Sequence, residues 1–320
     1  MKPHVLITNT VPRDILEPFE GLADIIQGPS DGDLMPRSEV LALGPSLTGI
    51  LNQGELRVDA ELLDACPVLK VVANVAVGFD NFDPDLMAER GVWATNCPGI
   101  FEEPAADCAI GSLLCLLRGI HKGDRYVRSG AWKRFQPGVW DGVLLRGKRV
   151  GIVGFGSLGQ AFAARLTPFG AEIRYHNRSS SGEDGYQTLD QLLAESDIVV
   201  LMVPLNASTH HLMNRKRLAR MKPGAYLVNF ARGKVVEEVA MIESLESGHL
   251  AGAALDVYEQ EPEVPAALRH LPNVVLTPHI GGGTKESRRA ARLLCAENIA
   301  MVLKGKPPKT PVNQPVGSVS

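Results

Sequence analysis

The stretch "RVGIVGFGSLGQAFAARL", residues 149–166, decides the fold of this 320-residue chain. It begins with a short apolar run typical of a buried strand, and it ends in an amphipathic pattern typical of a helix. Three glycines with the spacing G-x-G-x-x-G stand between the two: Gly154, Gly156 and Gly159. A strand, a glycine-rich turn and a helix in this order predict a dinucleotide-binding unit.

Each glycine has a physical task in such a turn. Gly154 permits the tight turn, Gly156 lets the backbone approach a diphosphate, and Gly159 lets the helix pack close to the strand. The N–H groups at the start of the helix, where Ser157 and Leu158 stand, then face the phosphates. We therefore expect these five residues to bind the dinucleotide.

Strand and helix patterns alternate on both sides of this turn, which is typical of α/β folds with parallel sheets. One series of strand patterns precedes residue 98, and a second series of six begins at residue 149. Amphipathic helix patterns at about 103–120 and 284–303 frame the second series. The sequence therefore predicts two domains in a discontinuous chain, one formed by residues 1–98 and 285–320 and the other by residues 99–284.

Composition excludes several classes of protein. Hydrophobic residues make up 45% of the chain, charged residues make up 22%, and the net charge is -3. Without a basic excess, neither nucleic acid nor an anionic membrane surface is an expected partner. No apolar run reaches the roughly 18 residues of a membrane span. The five cysteines form no CxxC pair, so we expect reduced thiols, a cytoplasmic location and no metal site.

The segment "AEIRYHNRSS", residues 171–180, ends the second strand of the later series, where the adenosine ribose of a dinucleotide would lie. A carboxylate there would accept hydrogen bonds from the ribose hydroxyls and repel a 2′-phosphate. This chain has instead the neutral Asn177, the cationic Arg178 and the hydroxyl of Ser179. An arginine fork suits a phosphate, so we expect NADPH to be preferred over NADH. The alternative is that Arg178 is a solvated surface residue.

Three later stretches each lead from an apolar strand into polar residues: "VNFARGKVVEE", "ALDVYEQEP" and "LTPHIGGG". Because the carboxyl ends of parallel strands line the ligand crevice, we expect Arg232, Glu261 and His279 to converge there. Arg232 can hold a carboxylate and its adjacent keto oxygen, and His279 can give a proton to that oxygen. Glu261 can hold the imidazole and favour its protonated form. The spacing leaves Glu259 and Glu263 open as alternatives to Glu261.

Taken together, these motifs resemble the D-isomer-specific 2-hydroxyacid dehydrogenase family over essentially the whole chain. The matching stretches are "NVAVGFDNFD", "GVWATNCPG", "GIVGFGSLGQ", "VNFARGKVVEE", "LDVYEQEP" and "TPHIGG". The resemblance is greatest to glyoxylate/hydroxypyruvate reductases and 2-ketogluconate reductases. It implies two Rossmann-like doubly wound domains, a flavodoxin-like substrate domain and an NAD(P)-binding domain.

The resemblance also implies roles for individual residues. Arg232, Glu261 and His279 match the catalytic residues, and Glu261 is selected because the family's carboxylate stands just before a proline, here Pro262. Further matches concern the substrate and the cofactor. Substrate contacts are implied for Leu51, Val77 and Gly78, and cofactor contacts for Pro204, at the adenine pocket, and Asp256, near the nicotinamide amide. The resemblance further implies a homodimer formed through the nucleotide domain, with Trp140 reaching the partner's active site.

The chain departs from the family pattern in places that bear on the substrate. "EEPAAD" at residues 102–107 stands where family members often have "ETTAD". The runs "GFDNFD" and "YVRSGAWKRFQP" resemble phosphite dehydrogenase, but Val77 stands where that enzyme has a lysine. A phosphite dehydrogenase and an NAD(H)-sensing co-repressor are the alternatives. The sequence favours an NADPH-preferring reductase of small 2-keto acids such as glyoxylate and hydroxypyruvate, with His279 as proton donor.

Overall fold

The computed structural model describes residues 2–30, 32–179 and 184–317, and these fall into two compact units. Unit 1 comprises residues 1–101 and 283–320, and unit 2 comprises residues 102–282. The chain therefore leaves unit 1 once and returns to it once. Each unit is built on its own parallel sheet with helices on both faces, which confirms the predicted α/β fold of two doubly wound domains.

Unit 1 contains a five-stranded parallel sheet with the strand order β2-β1-β3-β4-β5. Its strands are β1 (His4–Ile7), β2 (Asp24–Gln27), β3 (Leu47–Asn52), β4 (Val71–Asn74) and β5 (Trp93–Thr95). The α-helices that cover it are α1 (Arg37–Leu43), α2 (Ala60–Ala65), α3 (Pro84–Glu89) and α11 (Lys285–Leu303). The edge strand β2 has no counterpart among the sequence predictions, because "DIIQ" is only four residues long and is polar at both ends.

Unit 2 contains a six-stranded parallel sheet with the strand order β11-β10-β9-β8-β6-β7. Its strands are β6 (Arg149–Val153), β7 (Glu172–His176), β8 (Ile198–Leu201), β9 (Ala225–Asn229), β10 (Leu250–Leu255) and β11 (Val274–Leu276). Its α-helices are α4 (Glu102–Arg118), α5 (Ile120–Arg128), α6 (Ser157–Leu166), α7 (Leu189–Glu195), α8 (Arg215–Leu218), α9 (Glu238–Glu246) and α10 (Ala266–His270). The six strands are those that the sequence predicted, and no strand end is shifted by more than two residues.

The two faces of each sheet carry separate hydrophobic cores. In unit 2, one face packs against α4 and α6, where Leu113 and Phe162 are fully buried. The opposite face packs against α7 and α9, with Leu192 and Leu193 fully buried beneath it. Strands covered on both faces need continuous apolar sequences, and this explains runs such as "IVVL" in β8.

Local sequence signals fix several helix ends. Thr188 and Gln191 form a capping box at the start of α7, and Thr284 and Ser287 form one at the start of α11. Each box satisfies backbone N–H groups that the first helical turn leaves without an acceptor. Because all the strands of each sheet are parallel, the loops that follow their carboxyl ends lie at one edge of that sheet.

The turn after β6 depends on a residue without a side chain. Gly154 has a φ of +95°, and a Cβ at this position would lie 2.5 Å from the Met202 carbonyl oxygen and 2.8 Å from Val203 Cγ1. Gly159 likewise packs on the carbonyl of Gly154, so α6 starts directly against the end of β6. Any larger residue at position 154 would push β6 and β8 apart at their carboxyl ends.

We therefore expect Gly154→Ala to destabilise the chain by about 1–3 kcal/mol, because both the positive φ and the backbone contact penalise a Cβ. Chemical denaturation, monitored by circular dichroism, measures this change. Gly111→Ala is the matched control, since Gly111 lies in α4 with open space around its Cα. Equal stabilities for the two variants would contradict the packing described for the turn.

Candidate active site

The glycine-rich turn presents free backbone donors at the start of α6. Gly156 caps this helix without a side-chain hydrogen bond, and no atom lies within 4 Å of the position that a Cβ on Gly156 would take. Among the described residues, no acceptor binds the backbone N–H groups of Ser157 and Leu158. Unpaired N–H groups at a helix N-terminus attract phosphate oxygens. The turn therefore fits the diphosphate of a dinucleotide.

The end of β7 is joined to this turn through Asn177. The backbone N–H of Phe155 donates to Asn177 Oδ1, with an N–O distance of 2.7 Å. This bond uses one of the two lone pairs of the amide oxygen and leaves the amide nitrogen as a donor. Arg178 and Ser179 follow in exposed positions, and Arg178 forms no ion pair with any described residue. The surface beyond β7 thus offers donors and a positive charge where a carboxylate would offer acceptors.

Pro204 lies just beyond the carboxyl end of β8, on the same edge of the sheet. Its carbonyl accepts a hydrogen bond from Thr209 Oγ1 at 2.6 Å, and this bond closes the loop that follows the strand. Pro204 itself is exposed. The predicted adenine-pocket residue is therefore accessible and held in a defined loop.

Asn229, the last residue of β9, shapes the turn that carries Arg232. Its Oδ1 accepts from the Ala231 N–H at 3.0 Å, and its Nδ2 donates to the Arg232 carbonyl at 3.1 Å. Asn229 is almost fully buried, so both bonds are shielded from water. The side chain of Asn229 therefore fixes the backbone from which Arg232 projects, a role that the sequence predictions did not include.

Asp256 has the corresponding role on the neighbouring strand, just beyond the end of β10. Its Oδ1 accepts from the Thr277 hydroxyl at 2.6 Å and from the Ile280 N–H at 2.9 Å. Its Oδ2 accepts from the Gly281 N–H at 2.7 Å, and its carbonyl accepts from the His279 N–H at 2.9 Å. In the structure this buried carboxylate holds the loop that carries His279, and its predicted place near the nicotinamide amide stays a prediction.

His279 and Glu261 form a direct pair. The distance between His279 Nδ1 and Glu261 Oε2 is 2.7 Å, and about half of the imidazole side chain (49%) is exposed. The other carboxylate oxygen, Glu261 Oε1, accepts from the Tyr258 N–H at 2.9 Å. Because Nδ1 faces the carboxylate, Nε2 is the nitrogen left for a substrate. His279 has a φ of +52°, a left-handed backbone conformation that is uncommon for a residue other than glycine.

The electrostatics of the pair favour an ionised Glu261. Partial burial opposes ionisation of this carboxyl, but the hydrogen bond and charge of His279, the Tyr258 N–H and the charge of Arg232 together lower its pKa. Arg232 is one of the charges that lower this pKa, and the turn that carries it packs on the backbone of Tyr258. Burial of the Tyr258 hydroxyl, assisted by the negative charges of Asp256 and Glu261, raises its pKa to about 12. Tyr258 therefore stays neutral beside the pair.

The neighbouring acids have other partners. Glu259 Oε1 lies 2.8 Å from His211 Nε2, and Glu259 Oε2 accepts from the Glu238 N–H at 3.4 Å. Among the described residues, Glu261 is the one acid of this segment that contacts His279. Sequence spacing left Glu259 and Glu263 open as alternatives; the geometry places Glu261 beside the histidine.

Gly233 explains how Arg232 approaches this segment. A Cβ at position 233 would overlap the carbonyl of Tyr258, so the backbone after Arg232 packs directly on the backbone before Glu261. This contact brings the ends of β9 and β10 together. The sequence signal for it was the glycine in "ARGK", which the sequence predictions did not use.

Unit 1 contains the other predicted substrate residues. The carbonyl of Val77 accepts from Asn96 Nδ2 at 2.8 Å, and that of Gly78 accepts from Asn74 Nδ2 at 3.0 Å. Within the described ranges, the N–H groups of Val77 and Gly78 donate no hydrogen bond, so they are free to bind an anion. Leu51 differs, because its side chain is fully buried in the core of unit 1.

Other features of the described residues do not add to this site. A cavity of about 290 Å³ in unit 2 is lined by Asp190, Asn214, Lys216, Arg217 and Arg220, none of which is a predicted site residue. Histidines, cysteines and acids in the described part of the chain form no cluster suited to a metal ion. None of the helices there has the length and apolar character needed to cross a membrane. The cytoplasmic location stays a prediction.

Comparison with known proteins identifies relatives of the whole chain. Residues 110–281 match the model of the D-isomer specific 2-hydroxyacid dehydrogenase NAD-binding domain. A glyoxylate reductase of Pyrococcus furiosus is 40% identical, with 99% of this chain and 97% of that protein aligned.

Solved structures agree with this relationship. A protein of Thermus thermophilus superposes with a TM-score of 0.91 at 39% identity, covering 97% of this chain and 99% of that one. An NADPH-dependent glyoxylate/hydroxypyruvate reductase of Sinorhizobium meliloti, in complex with NADP and malonate, gives 0.86 at 34% identity, covering 98% and 97%. The resemblance read from the sequence is therefore confirmed: the chain belongs to the D-isomer-specific 2-hydroxyacid dehydrogenase family and is an oxidoreductase of this family.

Proposed function

We propose that this chain is an NADPH-preferring reductase that converts small 2-keto acids to D-2-hydroxy acids. The single observation that carries the proposal is the 2.7 Å pair of His279 and Glu261, with the charge of Arg232 close to it. These are the groups that reduction of a keto acid needs, namely a proton donor, a group that stabilises its cation and a carboxylate holder.

The chemistry follows from the charges. A bound reduced nicotinamide supplies the hydride that reaches the keto carbon. The guanidinium of Arg232 holds the substrate carboxylate and keto oxygen and stabilises negative charge developing on that oxygen. His279 gives a proton to the oxygen from Nε2, while Glu261 on Nδ1 stabilises the imidazolium before transfer. The family resemblance assigns a contact with the substrate carboxylate to Val77 and Gly78 of unit 1 as well, and the N–H groups of these two residues donate to no described residue.

Initial rates with glyoxylate, hydroxypyruvate, pyruvate and 2-ketogluconate, each with NADH and with NADPH, test the reaction. We expect turnover of the smaller acids, and we expect His279→Gln to lower kcat by about 10²- to 10⁴-fold because the proton donor is lost. Cofactor binding, followed by nicotinamide fluorescence, should be unaffected.

His270→Gln is the matched control, because His270 is an exposed histidine on α10 that bonds only the Ala266 carbonyl in the described structure. The proposal fails if the wild-type protein reduces no 2-keto acid. Phosphite-dependent reduction of NADP in the same assay would point to the phosphite dehydrogenase alternative. Full activity in His279→Gln would contradict the role given to this histidine.

The preference for NADPH rests on the donors beyond β7. Asn177 has its oxygen occupied by the Phe155 N–H, and Arg178 is exposed and without an acidic partner among the described residues. Such a surface binds a 2′-phosphate better than two ribose hydroxyls. The Sinorhizobium relative, which is NADPH-dependent, supports the same preference.

We expect Arg178→Ala to raise KM for NADPH by about 10- to 100-fold, the loss expected for one charge-assisted hydrogen bond, with little change for NADH. Asn177→Asp should shift the preference further towards NADH, since aspartate can keep the Phe155 bond and also accept from the ribose. Arg269→Ala, which removes an exposed arginine on α10, serves as the control. Equal effects of Arg178→Ala on both cofactors would show that Arg178 is only a surface charge.

A homodimer through unit 2 is also included in the proposal. Helix α5 and the segment after it expose an unusual number of large apolar side chains: Ile120, Val127, Trp132, Phe135, Val139, Trp140 and Leu144. Phe135 is 83% exposed, and Leu144 is 70% exposed. Many large exposed apolar side chains within one segment indicate an interaction site, and a second copy of the chain is the occupant that we propose.

Introducing charges there should separate the subunits. We expect Phe135→Asp combined with Leu144→Asp to give a monomer, because two carboxylates would be desolvated in the interface. Light scattering coupled to size-exclusion chromatography measures the mass. Val239→Asp, on an exposed apolar residue of α9 outside this segment, is the control. A monomeric wild-type protein, or an unchanged dimer in the double variant, would contradict the proposed interface.

A further inference from the structure

The strand order of unit 1 creates a crevice that the reaction described above does not fully use. In this sheet β2 lies on one side of β1, and β3 and β4 follow on the other side. Crossovers on opposite sides of β1 and β3 leave an open edge at the carboxyl ends of these two strands, where doubly wound sheets bind ligands. Thr8 follows β1 at this edge, and Gln53 follows β3.

Arg292 of α11 reaches this edge and contacts Gln53. The distance from Arg292 Nε to Gln53 Oε1 is 3.2 Å, and the arginine is partly buried. Among the described residues it forms no ion pair, and its charged neighbour is another cation, Arg288. Burial and the charge of Arg288 lower the pKa of the Arg292 guanidinium.

An arginine in such a place is costly unless an anion joins it, because a partly buried charge loses hydration without gaining a partner. The preceding arginine of α11, Arg289, has an acidic partner that compensates its charge. Arg289 is paired with Asp14 at an N–O distance of 2.7 Å and is largely exposed. Glu55 is the acid near Thr8: burial raises the pKa of its carboxyl, which is hydrogen-bonded to Thr8, and it forms no ion pair with Arg292 in the described structure.

Gln53 supplies a second unpaired donor beside the guanidinium. Its backbone N–H donates to Thr8 Oγ1 at 3.3 Å, and its Oε1 accepts from Arg292. Its amide nitrogen Nε2 is buried and has no hydrogen-bond partner among the described residues. Buried donors without partners are uncommon in folded proteins, so this nitrogen is suited to donate to a bound ligand.

These donors adjoin the turn that carries Val77 and Gly78. Gly54 directly follows Gln53, and a Cβ on Gly54 would lie 3.7 Å from Ala76 Cβ. The loop after β3 and the turn after β4 are therefore in contact. A molecule whose carboxylate binds the free N–H groups of Val77 and Gly78 would extend past Gln53 towards Arg292.

We propose that Arg292 and Gln53 form a subsite for a second anionic group of the substrate, a carboxylate or a phosphate, carried by the chain of a 2-keto acid. The inference rests on the proposed reduction of 2-keto acids and narrows its substrate class. Glyoxylate is too short to fill this subsite. The physiological substrate is then a dianionic 2-keto acid, and the planar guanidinium fork and the Gln53 amide select it.

Matched substrate pairs test this directly in the full-length protein with NADPH. 2-Oxoglutarate is compared with 2-oxopentanoate, which lacks the second carboxylate, and 3-phosphohydroxypyruvate is compared with hydroxypyruvate, which lacks the phosphate. We expect the wild-type protein to have the higher kcat/KM for the dianionic member of at least one pair. The pair that shows the preference distinguishes a carboxylate from a phosphate.

Arg292→Gln should lower kcat/KM for the preferred dianion by about 10- to 100-fold, the loss of a charge-assisted bidentate contact, and should leave its monoanionic counterpart unchanged. Gln53→Leu should give a smaller loss in the same direction. Arg289→Gln, which replaces an arginine of the same helix that is paired with Asp14, should change neither substrate. Equal losses for both members of a pair in Arg292→Gln, or no preference in the wild-type protein, would overturn the subsite.

A binding measurement separates this failure from failure of the proposed reaction. The rise in melting temperature caused by 2-oxoglutarate or 3-phosphohydroxypyruvate, without cofactor, is measured for the wild-type protein and for Arg292→Gln. Stabilisation that is lost in Arg292→Gln supports the subsite even if no 2-keto acid is turned over. Turnover of glyoxylate without any Arg292-dependent stabilisation or discrimination would leave the reaction standing and refute the subsite.

Discussion

The buried carboxylate of Asp256 is the constraint on which the candidate active site depends. Its two oxygens and its backbone bind the segment from Thr277 to Gly281, and its N–H donates to the Asn229 carbonyl at 3.2 Å. One residue thus joins the ends of three neighbouring strands, β9, β10 and β11. A buried carboxylate whose two oxygens are both hydrogen-bonded is a rigid anchor, because breaking these bonds would leave a desolvated charge.

Contacts among the loops that follow β9, β10 and β11 set the position of each group of the candidate site around Asp256. Asn229 holds the turn of Arg232, Gly233 allows that turn to touch Tyr258, and Tyr258 in turn binds Glu261. The left-handed conformation of His279 is kept by bonds on both sides of it. The functional groups are therefore positioned by backbone contacts between loops, and the side chains that do this are themselves buried and outside the chemistry.

The sequence was informative wherever local chemistry alone decides structure. Parallel strands, the glycine turn and the framing helices follow from apolar periodicity and glycine spacing, so they could be read directly. The edge strand β2 could not be predicted from the sequence, because four residues with polar ends show no clear apolar periodicity. This strand forms through its pairing with β1. Leu51 is a second case in which the sequence was not sufficient. The resemblance implied a substrate contact for Leu51, but the tertiary structure buries its side chain in the core of unit 1. Gln53, two residues later, contacts Arg292 instead.

The sequence by itself determined the fold class, the family, the glycine-rich turn and the arginine, glutamate and histidine of the candidate site, because each depends on neighbours in the chain. Tertiary structure alone decided which glutamate meets His279, that Asn177 accepts a hydrogen bond from Phe155, and that Arg292 is left without an acidic partner in the described structure. These outcomes depend on contacts between residues of different strands at a sheet edge. The residue spacing within one segment does not predict such contacts.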